Sequence, residues 1–169
     1  MAKKKSKKMN LLLSIITAVV GIASFVPLLL DTWGGFAKIG DKASEVEAIG
    51  GYFTDYSDLA KAFELADSWL APAFSIIAGI AVCVATALAL LFVVGVVLNC
   101  MNKDGSKLCK LASIGLLISA IVIAISSIIF VLPTISATGF ESHIVMMFAG
   151  YLGFIIPAAA GVLGLISTK

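Results

Sequence analysis

Residues 150–167 read "GYLGFIIPAAAGVLGLIS", and Gly150, Gly153, Pro157, Ala160, Gly164 and Ser167 recur in them at alternating steps of three and four. That spacing marks the contact seam of a left-handed helical bundle, here with almost no side chain on it. Lipid tails are as apolar as leucine, so spanning helices associate by close van der Waals approach, which small residues permit. The stretch therefore predicts a membrane-spanning helix packed through a bare face.

Working outward, the same pattern recurs three times. Ser14, Thr17, Gly21 and Ser24 form a seam in the first apolar segment. Ala71, Ser75, Ala78, Val82, Ala85 and Ala89 form one in the second, and Ala112, Gly115, Ser119, Val122 and Ser126 one in the third. The second segment carries a further stripe, Ser75, Gly79, Cys83 and Ala87, at the four-residue spacing of right-handed crossings.

Composition agrees. Of 169 residues, 60% are hydrophobic and 13% charged, and the mean hydropathy is +1.10. Soluble domains carry roughly a quarter of their residues as charges. Residues 11–30, 71–102, 111–140 and 144–168 contain no Asp, Glu, Lys or Arg, and about 20 apolar residues cross the ~30 Å hydrocarbon core as a helix. The apolar runs are continuous rather than alternating, which excludes a transmembrane barrel. The expected fold is an all-α integral membrane protein, a single domain of four helices in an antiparallel up-down bundle with a partly helical first outer loop.

The expected boundaries are a basic arm at 1–9, a first span at 10–30 and an outer loop at 31–68. A second span follows at 69–99, a cytoplasmic turn at 100–110 and a third span at 111–132. An outer turn at 133–143 and a fourth span at 144–167 complete the chain. "MAKKKSKK" followed by "LLLSIITAVV", Gly21 and Ala23 has the look of a cleaved signal. The apolar run continues through "SFVPLLL", so a retained first span is expected. In the loop, Ser44 and Glu47 have capping-box spacing before Gly50-Gly51, and a second amphipathic patch begins near Ser57, with Leu59, Ala62, Phe63, Ala66 and Leu70 on one face. Both are read as helices. Pro157 removes a mid-span hydrogen bond to Gly153, so a kink is expected, with Ser119 or Ser126 as candidate partners for the freed carbonyl.

Charge sets the orientation. Lys3, Lys4, Lys5, Lys7 and Lys8 precede the first span, Lys103, Lys107 and Lys110 surround the turn, and Lys169 follows the fourth. Residues 31–70 hold eight acids and three lysines. Lysine excess marks the cytoplasmic side, which places both termini there, in a cytoplasmic or plasma membrane. The lysine arm is read as a topology anchor and nothing else, with attraction for anionic headgroups as the alternative. No aromatic platform accompanies it, so nucleic acid is not expected as a partner.

Four spans, both ends inside, a long first outer loop and a short second one resemble the claudin and tetraspan plan in topology. "DTWGGF" places Trp33 early in that loop, as the plan implies, while the paired loop cysteines of claudins are missing.

Reactive chemistry is sparse. His143 lies near Glu141 and Ser142, three near-neighbours that cannot form a nucleophile–base–orienter line and are read as a capped helix start. Glu141 and His143 are too few to hold a metal. Cys83 lies within the second span, and Cys100 and Cys109 flank the turn without a nearby His, so they are read as free thiols. No ionisable group sits at membrane depth, where coupled transporters usually carry one. No catalytic, cofactor or metal residues are assigned. The expected role is non-enzymatic, a structural or accessory subunit assembling with itself or another membrane protein through the small-residue faces, with a further partner surface on the outer loop. A small channel or transporter for a neutral or hydrophobic solute is the alternative.

Overall fold

A computed structural model describes residues 10–39, 42–43, 47–53, 68, 70–101, 103–137 and 140–169, with residues 36–39, 42–43, 134–137 and 140 described by their backbone alone. Four helices dominate them. Helix α1 spans Leu11–Ile22 and continues as a 3-10 segment over Ala23–Leu29. Helix α2 spans Ala71–Cys100, α3 spans Ser106–Val131 and α4 spans Phe148–Ser167. Each of the four, with α1 taken together with its 3-10 extension, is long and apolar enough to cross a membrane.

Local chemistry sets the helix ends. The Asn10 side chain accepts from the Leu13 N–H, capping α1. Pro27 falls in the tighter 3-10 segment, which uses i→i+3 bonds and runs in short pieces. Pro72 sits in the first turn of α2, where its missing N–H has no intrahelical partner to lose. Between α2 and α3 the chain turns at Met101–Gly105, and the Asp104 carboxylate accepts from the N–H and hydroxyl of Ser106 at 3.2 and 2.6 Å.

The chain is not all-α. Five strands form one sheet: β1 (Trp33–Ile39), β2 (Lys42–Ala43), β3 (Glu47–Gly50), β4 (Thr134–Ala137) and β5 (Phe140–Met146). Their order is β2-β1-β5-β4, with β3 also paired to β1, and every pairing is antiparallel. The long pair is β1–β5, in register from Trp33 opposite Met146 to Ile39 opposite Phe140. Two connections that are distant in sequence thus close into one sheet.

Several expectations are corrected here. The patch read as a capped helix ends instead in β3, because Glu47–Gly50 pairs with Trp33–Gly35 across a register shift. The second patch, near Ser57, lies outside the described residues apart from Ser68 and Leu70. The outer turn expected at 133–143 contains β4 and most of β5, so α4 begins at Phe148 rather than 144. His143 lies in a strand and not at a helix start. Helix α3 begins at Ser106, which shortens the expected turn.

Helix α2 packs on α3, α3 on α4, α4 on α1 and α1 on α2. Gly95 of α2 faces Cys109 of α3 near the connecting turn, and Gly115 faces Leu88 farther along. Gly161 and Gly164 of α4 face Leu117 and Ser113 of α3, while Gly21 of α1 faces Ala89 and Ala160. The Asn10 N–H donates to the Ser167 carbonyl, bringing the start of α1 beside the end of α4.

The contact seams follow the sequence closely. All six seam positions of α4 and all six of α2 are buried, as are Ser14, Thr17, Gly21 and Ser24. In α3 the seam departs at Val122, which is exposed, and at Gly115, which is half-buried. The second stripe of α2 splits: Ser75 and Gly79 are buried, whereas Cys83 and Ala87 face outward. Large apolar side chains lie on the outside, including Leu12, Val19, Leu90 and Ile118.

Candidate functional site at the junction of sheet and helices

Among the described residues, three of the largest fully buried side chains, Trp33, Tyr52 and Phe130, gather where β1 meets the helices. Gly34 and Gly35 follow Trp33, and Ile49 of β3 reaches over Gly35. Trp33 itself turns inward and is wholly buried. Its indole Nε1 donates to the Ser75 hydroxyl of α2 at 2.9 Å, and that hydroxyl donates to the Tyr52 carbonyl, also at 2.9 Å. One serine thereby ties the first strand and the end of the β3 segment to a single turn of helix.

Aromatic contacts close the cluster. The Tyr52 ring meets Trp33 edge-on with centroids 5.4 Å apart, and Phe130 of α3 packs on Trp33 at 4.5 Å. Such pairs contribute about 0.5–1.5 kcal/mol beyond their buried area. Room for Tyr52 comes from two glycines. A Cβ at Gly79 would stand 2.8 Å from the Tyr52 Cβ, and one at Gly153 would collide with the Tyr52 hydroxyl. That hydroxyl donates to the Gly150 carbonyl at 3.4 Å. Burial pushes the Tyr52 phenol up to about 12, with the nearby Ser127 hydroxyl pulling weakly the other way.

Thr32 joins the same junction through its backbone. Its N–H donates to the Gly50 carbonyl at 3.0 Å, and its carbonyl accepts from Met147 N at 2.9 Å, just before α4. On β5, Ile144 is buried and Met146 packs against this cluster. Sheet and helices therefore share one core. Among the described residues, the hydroxyls of Thr32 and Ser24 are buried without a hydrogen-bond partner.

Comparison with protein-family models and with curated proteins finds no match.

The other residues singled out in the sequence are scattered. Glu141 and His143 stand one residue apart on the outward face of β5, with Oε2 and Nε2 4.0 Å apart. Among the described residues no three of His, Cys, Asp or Glu group closely enough to hold a metal. Cys83 and Cys100 are exposed on α2, while Cys109 is buried with its Sγ toward the Phe92 carbonyl at 3.6 Å. The thiols of Cys100 and Cys109 thus lie in different environments.

In the sequence Trp33 stands out only by its place early in the loop, and nothing there marks Tyr52 and Phe130 as its partners. A signal for the sheet was present in "FESHIVM", where Ile144 and Met146 alternate with Glu141 and His143. Chemically, the junction offers shape and anchorage: it fixes a sheet of fixed register on one end of the helices.

Proposed function

We propose that this chain is a non-enzymatic multi-pass membrane protein, an antiparallel four-helix bundle that acts as a structural or assembly subunit. Its five-stranded sheet is a rigid platform on the extracytoplasmic side. The observation that carries this role is the Trp33–Ser75–Tyr52 linkage, which makes a sheet drawn from two connections part of the helical core. A rigid platform presents a constant surface to a partner without ordering cost at each encounter.

Membrane insertion is supported by the inverted distribution of side chains. Serines, glycines and alanines fill the contact faces, while leucines, isoleucines and valines stand outside. In water that arrangement would expose far more contiguous apolar surface than a soluble monomer tolerates; in lipid it is the expected one. Aromatic side chains at the sheet end, Phe25, Phe53, Phe148 and Tyr151, are exposed at the level of a headgroup boundary. Both termini are assigned to the cytoplasm from the lysines, in a cytoplasmic or plasma membrane.

Gentle-detergent extraction followed by light scattering tests the role. The protein component is expected to exceed 17.5 kDa by a reproducible multiple of the chain or a constant partner, and Trp33→Ala is expected to reduce it to the single chain. A wild-type particle holding one chain under every extraction condition would contradict assembly. Solute movement through liposomes holding the purified protein would make it a small channel or transporter instead.

A further inference from the structure

Between α2 and α3, on the outside of the molecule, lies an apolar groove of about 330 Å³. Ile77, Ile80 and Val84 form one wall, and Ile118, Ser119 and Val122 the other. Nearer the connecting turn Leu88 lies against Gly115, which bounds the groove at that end. Its position is near the middle of α3, so in a membrane it sits close to the bilayer midplane.

A line of exposed residues leads from the groove to the basic end. Val122, Ile118, Ile114, Leu111 and Lys107 are all exposed and follow steps of four, four, three and four. Eleven residues separate Ile118 from Lys107, about three helical turns, so the two share one side of α3 roughly 16 Å apart. Half the hydrocarbon core is about 15 Å. One leaflet's acyl chain therefore reaches from the level of Lys107 to the groove.

Charge says which head such a tail carries. Lys103, Lys107, Lys110 and Lys169 are exposed at this end. The one acid of the connecting turn, Asp104, holds the Ser106 N–H and hydroxyl. Its carboxylate occupies the start of α3, which leaves lysine ammonium groups as the anion-binding element. Resting on the membrane insertion and orientation proposed above, we infer that this side of α3 binds an anionic phospholipid of the inner leaflet. The headgroup phosphate lies at Lys107 and Lys110, and one acyl chain lies along Leu111 and Ile114 into the groove.

Native mass spectrometry of delipidated protein, with phosphatidylglycerol or phosphatidylcholine of identical acyl chains added back, tests this. The wild type is expected to retain phosphatidylglycerol about thirtyfold more tightly, the preference two lysines near a headgroup supply. Lys107→Gln with Lys110→Gln is expected to abolish the preference while leaving phosphatidylcholine retention unchanged. Val122→Trp, an exposed position that fills the groove, is expected to weaken both lipids about tenfold at unchanged helix content. Equal retention of the two lipids by the wild type, or undiminished retention by Val122→Trp, would overturn the inference. So would an efficient disulfide-linked dimer of Ile118→Cys in membranes, since a second copy would then cover the groove; that result would favour assembly. Recovery of the protein in the aqueous fraction without detergent would overturn membrane insertion itself, along with the lipid inference.

Discussion

Replacing Trp33 with alanine empties the centre of the junction and removes the indole N–H that donates to the Ser75 hydroxyl, so a loss of about 3–5 kcal/mol is expected in denaturant unfolding in detergent. A loss below about 1 kcal/mol would mean that the indole packs loosely. The orphan hydroxyl of Thr32 beside it predicts the opposite sign. Thr32→Val removes a buried polar group that has no side-chain partner among the described residues, and is expected to be neutral or stabilising, because the cost of desolvating an unpaired group disappears. Tyr52 supplies a test by pH. Its phenol ionises near 10.0 in the unfolded chain and about 12 in place. The folded pKa is raised, so the stabilisation is fully present below pH 10 and is lost as pH rises from 10 through 12. Ultraviolet titration of the folded protein is expected to show one phenolate appearing near pH 12, and Tyr52→Phe is expected to remove that step.

Helices and strands were unequally legible in the sequence. The seams could be read because a spanning helix must bury whatever permits close approach, and the alternation of Gly150, Gly153, Pro157, Ala160, Gly164 and Ser167 is a local signal. The exposure of Val122 shows the limit: its phase was consistent with the seam, but the groove beside α2 leaves that position uncovered. The sheet was hidden because its main pairing joins Trp33–Ile39 to Phe140–Met146. No local pattern announces a partner more than a hundred residues away, and the Ser44–Glu47 spacing suits a helix cap equally well. The junction was hidden for the same reason, since Trp33, Tyr52, Ser75 and Phe130 meet only when the sheet closes. At this scale α4 tests the bare-face principle. Gly153→Ala would press a methyl group into the Tyr52 hydroxyl, and a loss of about 1–3 kcal/mol is expected in the same unfolding measurement. Ala87→Leu, on the exposed side of α2, is expected to change stability by less than about 0.5 kcal/mol. Equal effects from the two would remove the distinction between seam and lipid face.

Across the whole molecule, charge divides the two ends. Nine of the twelve lysines lie in the arm, in residues 103–110 and at the last residue, whereas nine of the ten acids lie in residues 31–67 and at position 141, the two stretches of sequence on which the sheet draws. A bilayer between those ends reconciles the division with an apolar exterior. Under the proposed orientation the sheet faces outward and the lysines meet inner-leaflet headgroups. Single cysteines at Glu141 and at Lys107, each introduced after Cys83, Cys100 and Cys109 are replaced, test that arrangement with a membrane-impermeant thiol reagent on intact cells. Label is expected at position 141 at once, and at position 107 only after the membrane is permeabilised. Labelling of 107 but not 141 in intact cells would invert the molecule, and labelling of both would mean that no bilayer separates its ends.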